Sequence, residues 1–234
     1  MSKLFKIFKY AAVFVGIVFL AALLFKWYFD QPVPTGDKGS AARTTAVKML
    51  DAINADQLKN VDSIHFKFNN RNYRWNYRSN EVVINYDSNQ IFLNTKSPEL
   101  NTALVENSLI SGDESVELIN DAIARFNNDS FWLLAPFKVN DPGTQLELVT
   151  PNKLKVTYTS GGSTPGDIYL WQLDDRFLPI SLQMWVEILP LEGVKAQWSG
   201  WQATPAGILM PTSRTIYGIE LPLENVQVFG TKVQ

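Results

Sequence analysis

The chain has 234 residues, enough for one medium domain and an appendage, and with 46% hydrophobic and 19% charged residues it can bury a core rather than remain disordered. A formal net charge of −2 argues against a nucleic-acid binder, which needs a basic face to neutralise phosphates. The absence of cysteine excludes disulfides, thiolate metal sites, a cysteine nucleophile and an acylated N-terminal cysteine, so the chain is not a bacterial lipoprotein.

Residues 1–29 read as a membrane anchor. Tyr10 to Phe25 is uncharged and apolar, and with Lys26 snorkelling and Trp27, Tyr28 and Phe29 at the interface the span reaches about 30 Å, enough for a bilayer core. Lys3, Lys6 and Lys9 precede it, which puts the N-terminus in the cytoplasm and all that follows Asp30 outside. No small-x-small pattern stands before a cleavage point, so the anchor is expected to stay uncleaved, with Met1 or Ser2 retained. Four of the 21 basic residues lie before Asp30, leaving 17 against 23 acidic residues in the exported part, which discourages it from lying flat on anionic lipid.

Residues 30–40, with two prolines and two glycines, read as a linker that lets the domain stand off the membrane. The domain is expected over 41–234. Ala46, Met49, Leu50, Ile53 and Leu58 recur near a 3.6-residue period and predict a helix over 41–58 with Ser40 as N-cap. Alternation at Ile64/Phe66/Phe68, Tyr73/Trp75/Tyr77, Val82/Ile84/Tyr86 and Ile91/Leu93 predicts an antiparallel meander. A second helix is expected over 113–126, with Val116, Ile119, Ile123 and Phe126 on one stripe. The apolar run Phe131 to Phe137 needs cover, from the protein's own core, the membrane or a greasy ligand, and Asp141-Pro142-Gly143 would then turn the chain. Further strands are expected over 145–149, 153–158, 167–173, 180–187, 194–201, 208–217 and 224–229, separated by turn chemistry. The fold class is therefore α+β: a large curved antiparallel sheet with two or three helices on its concave side, preceded by one transmembrane helix. The strand "DIYLWQL" at 167–173 is apolar on both faces and needs cover on both.

Catalytic chemistry finds little to work with. The sole histidine, His65, lies in a strand as a solvent-facing residue, no G-x-S-x-G elbow exists, and no second histidine could complete a metal site. Asp174-Asp175 reads as a turn, and the glycines of "SGGSTPG" at 160–166, with no lysine or helix after them, as a flexible hairpin loop. No catalytic residue, metal or cofactor is expected. What remains unusual is aromatic: six tryptophans stand outside the anchor. The candidates to line an apolar ligand cavity are Tyr73, Trp75, Tyr77, Phe131, Trp132, Trp171, Trp185 and Trp198. The competing readings are a packed core and stacking platforms for sugar rings.

The segments "FWLLAPFKVNDPG", "LKVTYTSGGSTPGDIYLWQLDDRFLPISLQMW", "WSGWQATPAGILMPTSRTIYG" and "ENVQV", in that order and spacing, resemble a bacterial family of unassigned function related to outer-membrane lipoprotein-sorting proteins, the LolA/LolB-like superfamily, over about residues 60–230. The resemblance implies an incomplete β-barrel with helices plugging its mouth around a cavity for acyl chains. It also implies that the apolar run Phe131 to Phe137 follows the lid helix into the sheet, with Phe131, Trp132 and Phe137 near the junction. The uncleaved anchor departs from the family's soluble carriers and argues against a free shuttle; it makes the chain a bacterial inner-membrane protein, single-pass through residues 10–29, with its domain in the periplasm. The expected function is an anchored carrier or chaperone for a lipid or lipoprotein acyl chain. The alternative is an envelope sensor or protein-interaction module with a filled core and no ligand, working through an envelope protein partner. An envelope hydrolase is the third reading.

Overall fold

From Lys3 onward no proline and one glycine interrupt an apolar run, and α1 (Lys3–Phe29) takes the whole stretch in the computed structural model, which describes residues 3–160 and 164–230. Its part Ile7–Phe29, 23 residues containing an 18-residue window with a mean hydropathy of 2.4, is long and apolar enough to cross a membrane.

The segment after α1 is not the free spacer that its prolines and glycines suggest. Trp185 Nε1 donates to the Gln31 carbonyl at 2.6 Å and Lys155 Nζ to the Pro34 carbonyl at 2.9 Å. The two-residue β1 (Asp37–Lys38) then pairs antiparallel with Leu148 and Glu147. A chain made extended by proline keeps its carbonyls free, and here the domain supplies the donors. The expected stand-off is thus replaced by a docked strap.

In α2 (Ser40–Ala52) the stripe Ala42, Thr45, Ala46 and Met49 is buried. The N-cap is Gly39 rather than Ser40, and no side chain caps the helix. The helix also ends before Leu58: Asn54 is left-handed at φ 54°, its amide donates to the Gly207 carbonyl at 3.1 Å, and a 3-10 helix, Ala55–Asn60, carries the chain on.

Period-two alternation gives the meander as expected: β2 (Val61–Phe68), β3 (Arg71–Asn76), β4 (Glu81–Tyr86) and β5 (Asn89–Asn94). Left-handed Asn69, Asn80 and Asp87 make the three tight turns. Two short strands without a sequence signal, β6 (Thr102–Val105) and β7 (Ser108–Leu109), extend it. Register places Phe66, Tyr73, Ile84, Ile91 and Ala103 in one row across five strands, all buried.

The second domain helix, α3 (Asp113–Leu134), runs eight residues past its expected end and takes in Phe131 and Trp132, expected after the helix, at its junction with the sheet. Asn127, Asn128, Asp129 and Ser130 are poor helix formers, but Ala122, Phe126, Asp129, Ser130 and Leu133 continue one buried face, and tertiary packing overrides propensity. Pro136 then sits in the first turn of a 3-10 helix, Ala135–Lys138. Asp141-Pro142-Gly143 turns as expected: Thr144 N–H donates to the Asp141 carbonyl at 3.1 Å and Gly143 has φ 88°. A side chain at Gly143 would clash with Ser160 Oγ.

Then follow β8 (Thr144–Thr150), β9 (Lys153–Tyr158), β10 (Ile168–Leu173), β11 (Pro179–Trp185) and β12 (Val194–Ser199), close to their expected bounds. In the expected loop at 160–166, residues 161–163 lie outside the described residues. The strand expected over 208–217 is divided at Pro211. β14 (Leu209–Met210) pairs with β13 (Gln202–Ala203) in a separate ribbon, and β15 (Ser213–Ile216) returns to β12 and pairs with β16 (Ile219–Glu220). The final β17 (Leu223–Gly230) crosses over to pair with β2.

The chain is α+β, with two large antiparallel sheets where one was expected: eight strands in the order β1-β8-β9-β10-β11-β12-β15-β16 and seven in the order β17-β2-β3-β4-β5-β6-β7. Both are open. They meet at a seam where Leu221 and Pro222 lead from β16 in one to β17 in the other.

Candidate functional site

On the core face of the eight-stranded sheet, register aligns Leu154, Trp171, Leu182 and Ala196, all buried, and sets Trp198 opposite Arg214. The last turns of α3 bring Phe131 and Trp132 onto this face. Phe131 lies 5.1 Å from the Tyr169 ring, Trp132 lies 6.3 Å from Trp198, and Trp171 meets Trp198 edge-on at 5.4 Å. Trp201 stacks beyond Trp198 at 6.5 Å. These side chains pack on one another: Trp171 is 1% exposed and Trp198 2%.

Tyr73, Trp75 and Tyr77 lie on the other sheet. Trp75 contacts Tyr77 and Phe126 at 5.0 Å each, and Tyr73 stacks on Phe66 at 4.4 Å. α3 therefore lies between the two sheets, with Phe126 toward one and Phe131 and Trp132 toward the other. Of the eight candidate cavity residues, Phe131, Trp132, Trp171 and Trp198 form one cluster, and Tyr73, Trp75 and Tyr77 a second.

Trp185 joins neither. Its register partner Ile168 and its neighbour Leu170 belong to the opposite face of the sheet, and there the strap from Gln31 to Lys38 covers Leu170, Trp185 and Lys155. Gly193 comes so close to Gln31 that a side chain there would clash with it. The strand apolar on both faces is thus covered by α3 on one side and by the strap on the other, in line with the general rule that a doubly apolar strand needs two covers.

Of the buried charged groups that sequence reasoning missed, Asp129 and Arg214 touch the aromatic clusters. Asp129, fully buried, accepts from Tyr73 Oη at 2.6 Å and Arg71 Nε at 2.8 Å. Burial, and then the bond to Asp129, push the Tyr73 hydroxyl well above its ordinary pKa. The period of α3, extended through Asn127, would have placed Asp129 on the apolar stripe. Arg214, 2% exposed, donates from Nε to the Trp132 carbonyl, and its guanidinium carbon lies 5.5 Å from the Trp198 ring centroid. Burial pulls its pKa down to about 10 against the opposing pull of Glu220. Its sequence neighbourhood, "TSRTI", gave no such signal.

His65 is half-buried rather than freely exposed. Its ring packs on Phe229 at 4.7 Å, its strand neighbours are Arg74 and Gln227, and burial followed by the Arg74 charge lowers its pKa. Asp174 forms the expected turn, its carboxylate accepting the N–H groups of Arg176 and Leu178 at 2.8 Å each. No group of three His, Cys, Asp or Glu able to hold a metal occurs among the described residues.

Among the described residues, the cavities that a ligand could enter include these two. One, of about 280 Å³, lies at the seam and includes Arg214 in its wall. The other, of about 430 Å³, is a depression along the Gln172, Ser181, Gln197 and Thr215 row of the eight-stranded sheet and touches Trp198. None of the other seven aromatic candidates lines either.

No protein-family model matches the chain, and no curated protein matches it. Among solved structures the chain is similar to a DUF1329 family protein from Desulfovibrio piger, with 10% sequence identity and a TM-score of 0.40 over 81% of this chain and 94% of that chain.

Proposed function

We propose that this chain is a membrane-tethered, non-enzymatic envelope sensor or protein-interaction module whose core is filled by its own side chains. In this reading α1 crosses the bacterial inner membrane once, with the N-terminus cytoplasmic and the domain in the periplasm, as Lys3, Lys6 and Lys9 favour. The observation that carries the proposal is the mutual packing of Phe131, Trp132, Trp171 and Trp198, the residues that an acyl-chain chamber of the LolA-like kind would have as its lining. A lipid or lipoprotein carrier needs a chain-sized void beside all four, whereas the cavity of about 280 Å³ touches none of them and the one of about 430 Å³ only Trp198.

The test is Trp171→Ala in the full chain reconstituted in nanodiscs, read by urea unfolding of the domain and by labelling with a photoreactive fatty acid. In a filled core the substitution leaves a hole and costs about 3–5 kcal/mol, and the unsubstituted protein shows no saturable labelling. Saturable labelling that Trp171→Ala weakens several-fold at little cost in stability would replace this proposal with the carrier.

A further inference from the structure

The cavity at the seam has an unusual wall. Its residues come from β13, β14, β15 and β17, with Met210, Leu223 and Val226 apolar, Gln202 and Asn225 polar, and Arg214 charged. A buried guanidinium normally meets a carboxylate, because taking the charge out of water is costly without a partner. Here it does not. Among the described residues Arg214 makes no ion pair, and its Nη2 is buried without a hydrogen-bond partner. The nearby carboxylate, Glu220, instead accepts the Arg214 backbone N–H at 3.1 Å and the Ser213 hydroxyl at 2.9 Å. The guanidinium itself is held in place, by the Trp132 carbonyl at Nε and by the Trp198 ring. A fixed, dry cation with a donor to spare, in the wall of a partly apolar cavity, is the arrangement that recognises an organic anion.

We propose that the seam cavity binds a small organic monocarboxylate, its carboxylate paired with Arg214 and its apolar body against Met210, Leu223 and Val226. The volume of about 280 Å³ falls just below the range of drug-sized sites, about 300 to 1,000 Å³, and so suits a six-carbon acid rather than a whole lipid chain. One negative charge satisfies the guanidinium; a second would find no further cation among the wall residues named. The site spans the junction of the two sheets, so occupancy would brace the crossing from β16 to β17, an input suited to a sensor. The binding claim itself does not depend on the core being filled.

The experiment uses the full chain in nanodiscs and titrates hexanoate, hexanol and inorganic phosphate, following tryptophan fluorescence, to which Trp198 beside Arg214 contributes, and saturation-transfer NMR. Hexanoate should bind saturably, and hexanol and phosphate at least tenfold more weakly. Arg214→Gln should weaken hexanoate at least tenfold. Val226→Trp, which fills the cavity and leaves Arg214 in place, should abolish binding, and it decides the matter if Arg214→Gln fails to fold. Equal binding of hexanoate and hexanol, phosphate binding as tight as hexanoate, or hexanoate binding that survives Val226→Trp would each overturn the site. Photoreactive fatty-acid labelling bears only on the core, so the two proposals can fail separately.

Discussion

Asp129 is the residue on which the helix-to-sheet contact turns. It is fully buried in α3 and reaches across to β3, where Arg71 and Tyr73 both donate to the same carboxylate oxygen. The Arg71 side chain is itself only 11% exposed, so the pair is largely shielded from solvent. Removing one member of a shielded pair leaves the other charge stranded, at a cost of about 3–5 kcal/mol. Asp129→Ala should therefore lower unfolding free energy by that order, and Tyr73→Phe, which deletes one hydrogen bond and leaves the charges paired, by about 1 kcal/mol. Denaturant unfolding of the two variants checks the order. An Asp129→Ala variant as stable as Tyr73→Phe would mean that the pair contributes nothing to holding α3 on the sheet.

At the scale of elements, the strap 31–38 is held by a buried ionic clasp. Lys155 pairs with Glu147 at 2.8 Å and also bonds the Pro34 carbonyl, while the Gly36 N–H donates to Glu147 at 3.3 Å. The Lys155 bond, outweighing burial, holds the Glu147 carboxyl below its ordinary value of 4.5. A carboxyl depressed in the folded state contributes stability that is in place above about pH 4.5 and is lost as pH falls through the lower folded value. The Gly36 and Lys38 amides should accordingly lose hydrogen-exchange protection below pH 4, after correction for intrinsic rates, and Glu147→Gln should expose them already at pH 7. Protection unchanged in the variant would show that β1 pairing alone holds the strap. The strap also marks where sequence reading stopped. Strands with clean alternation, from Val61 to Asn94 and from Lys153 to Ser199, were legible because each buries one face or both against elements of the same sheet or helix. The strap was not, because Pro32, Pro34 and Gly36 specify an extended chain but not what it rests on. α3 was cut short at Phe126 for a related reason: the polar run Asn127 to Ser130 is explained only by Arg71 and Tyr73, more than fifty residues earlier. The aromatic candidates were legible as apolar, but their grouping was set by register, which put Trp185 on the face opposite Trp171.

The whole molecule is built so that the domain cannot swing freely from α1. Lys26, in the last turn of the helix, pairs with Asp30 at 2.7 Å and donates to the Pro190 carbonyl at 3.0 Å. Asp30 in turn accepts the Glu192 N–H at 2.9 Å, and the Gln31 N–H donates to the Glu192 carbonyl at 3.1 Å. These bonds tie the loop between β11 and β12 to the end of α1, and the strap continues the attachment to β8. Trp27 and Tyr28 stand exposed at that end, the position that interfacial aromatics take at a membrane surface, and Ile188 of the tied loop is 64% exposed. If α1 spans the bilayer as proposed, Ile188 lies at the headgroup level. The single bonds are exposed and individually weak, but several closing one short ring act together. An environment-sensitive fluorophore at Ile188→Cys in the reconstituted full chain should be quenched by lipids carrying a quencher near the headgroup. The same dye at Leu109→Cys, on the far edge strand β7, should be quenched by an aqueous quencher alone. Replacing Asp30 by Ala should shift the Ile188 site toward aqueous quenching. Equal aqueous quenching at both sites in the unsubstituted protein would mean that the domain stands clear of the bilayer, and that these contacts do not persist once α1 is in a membrane.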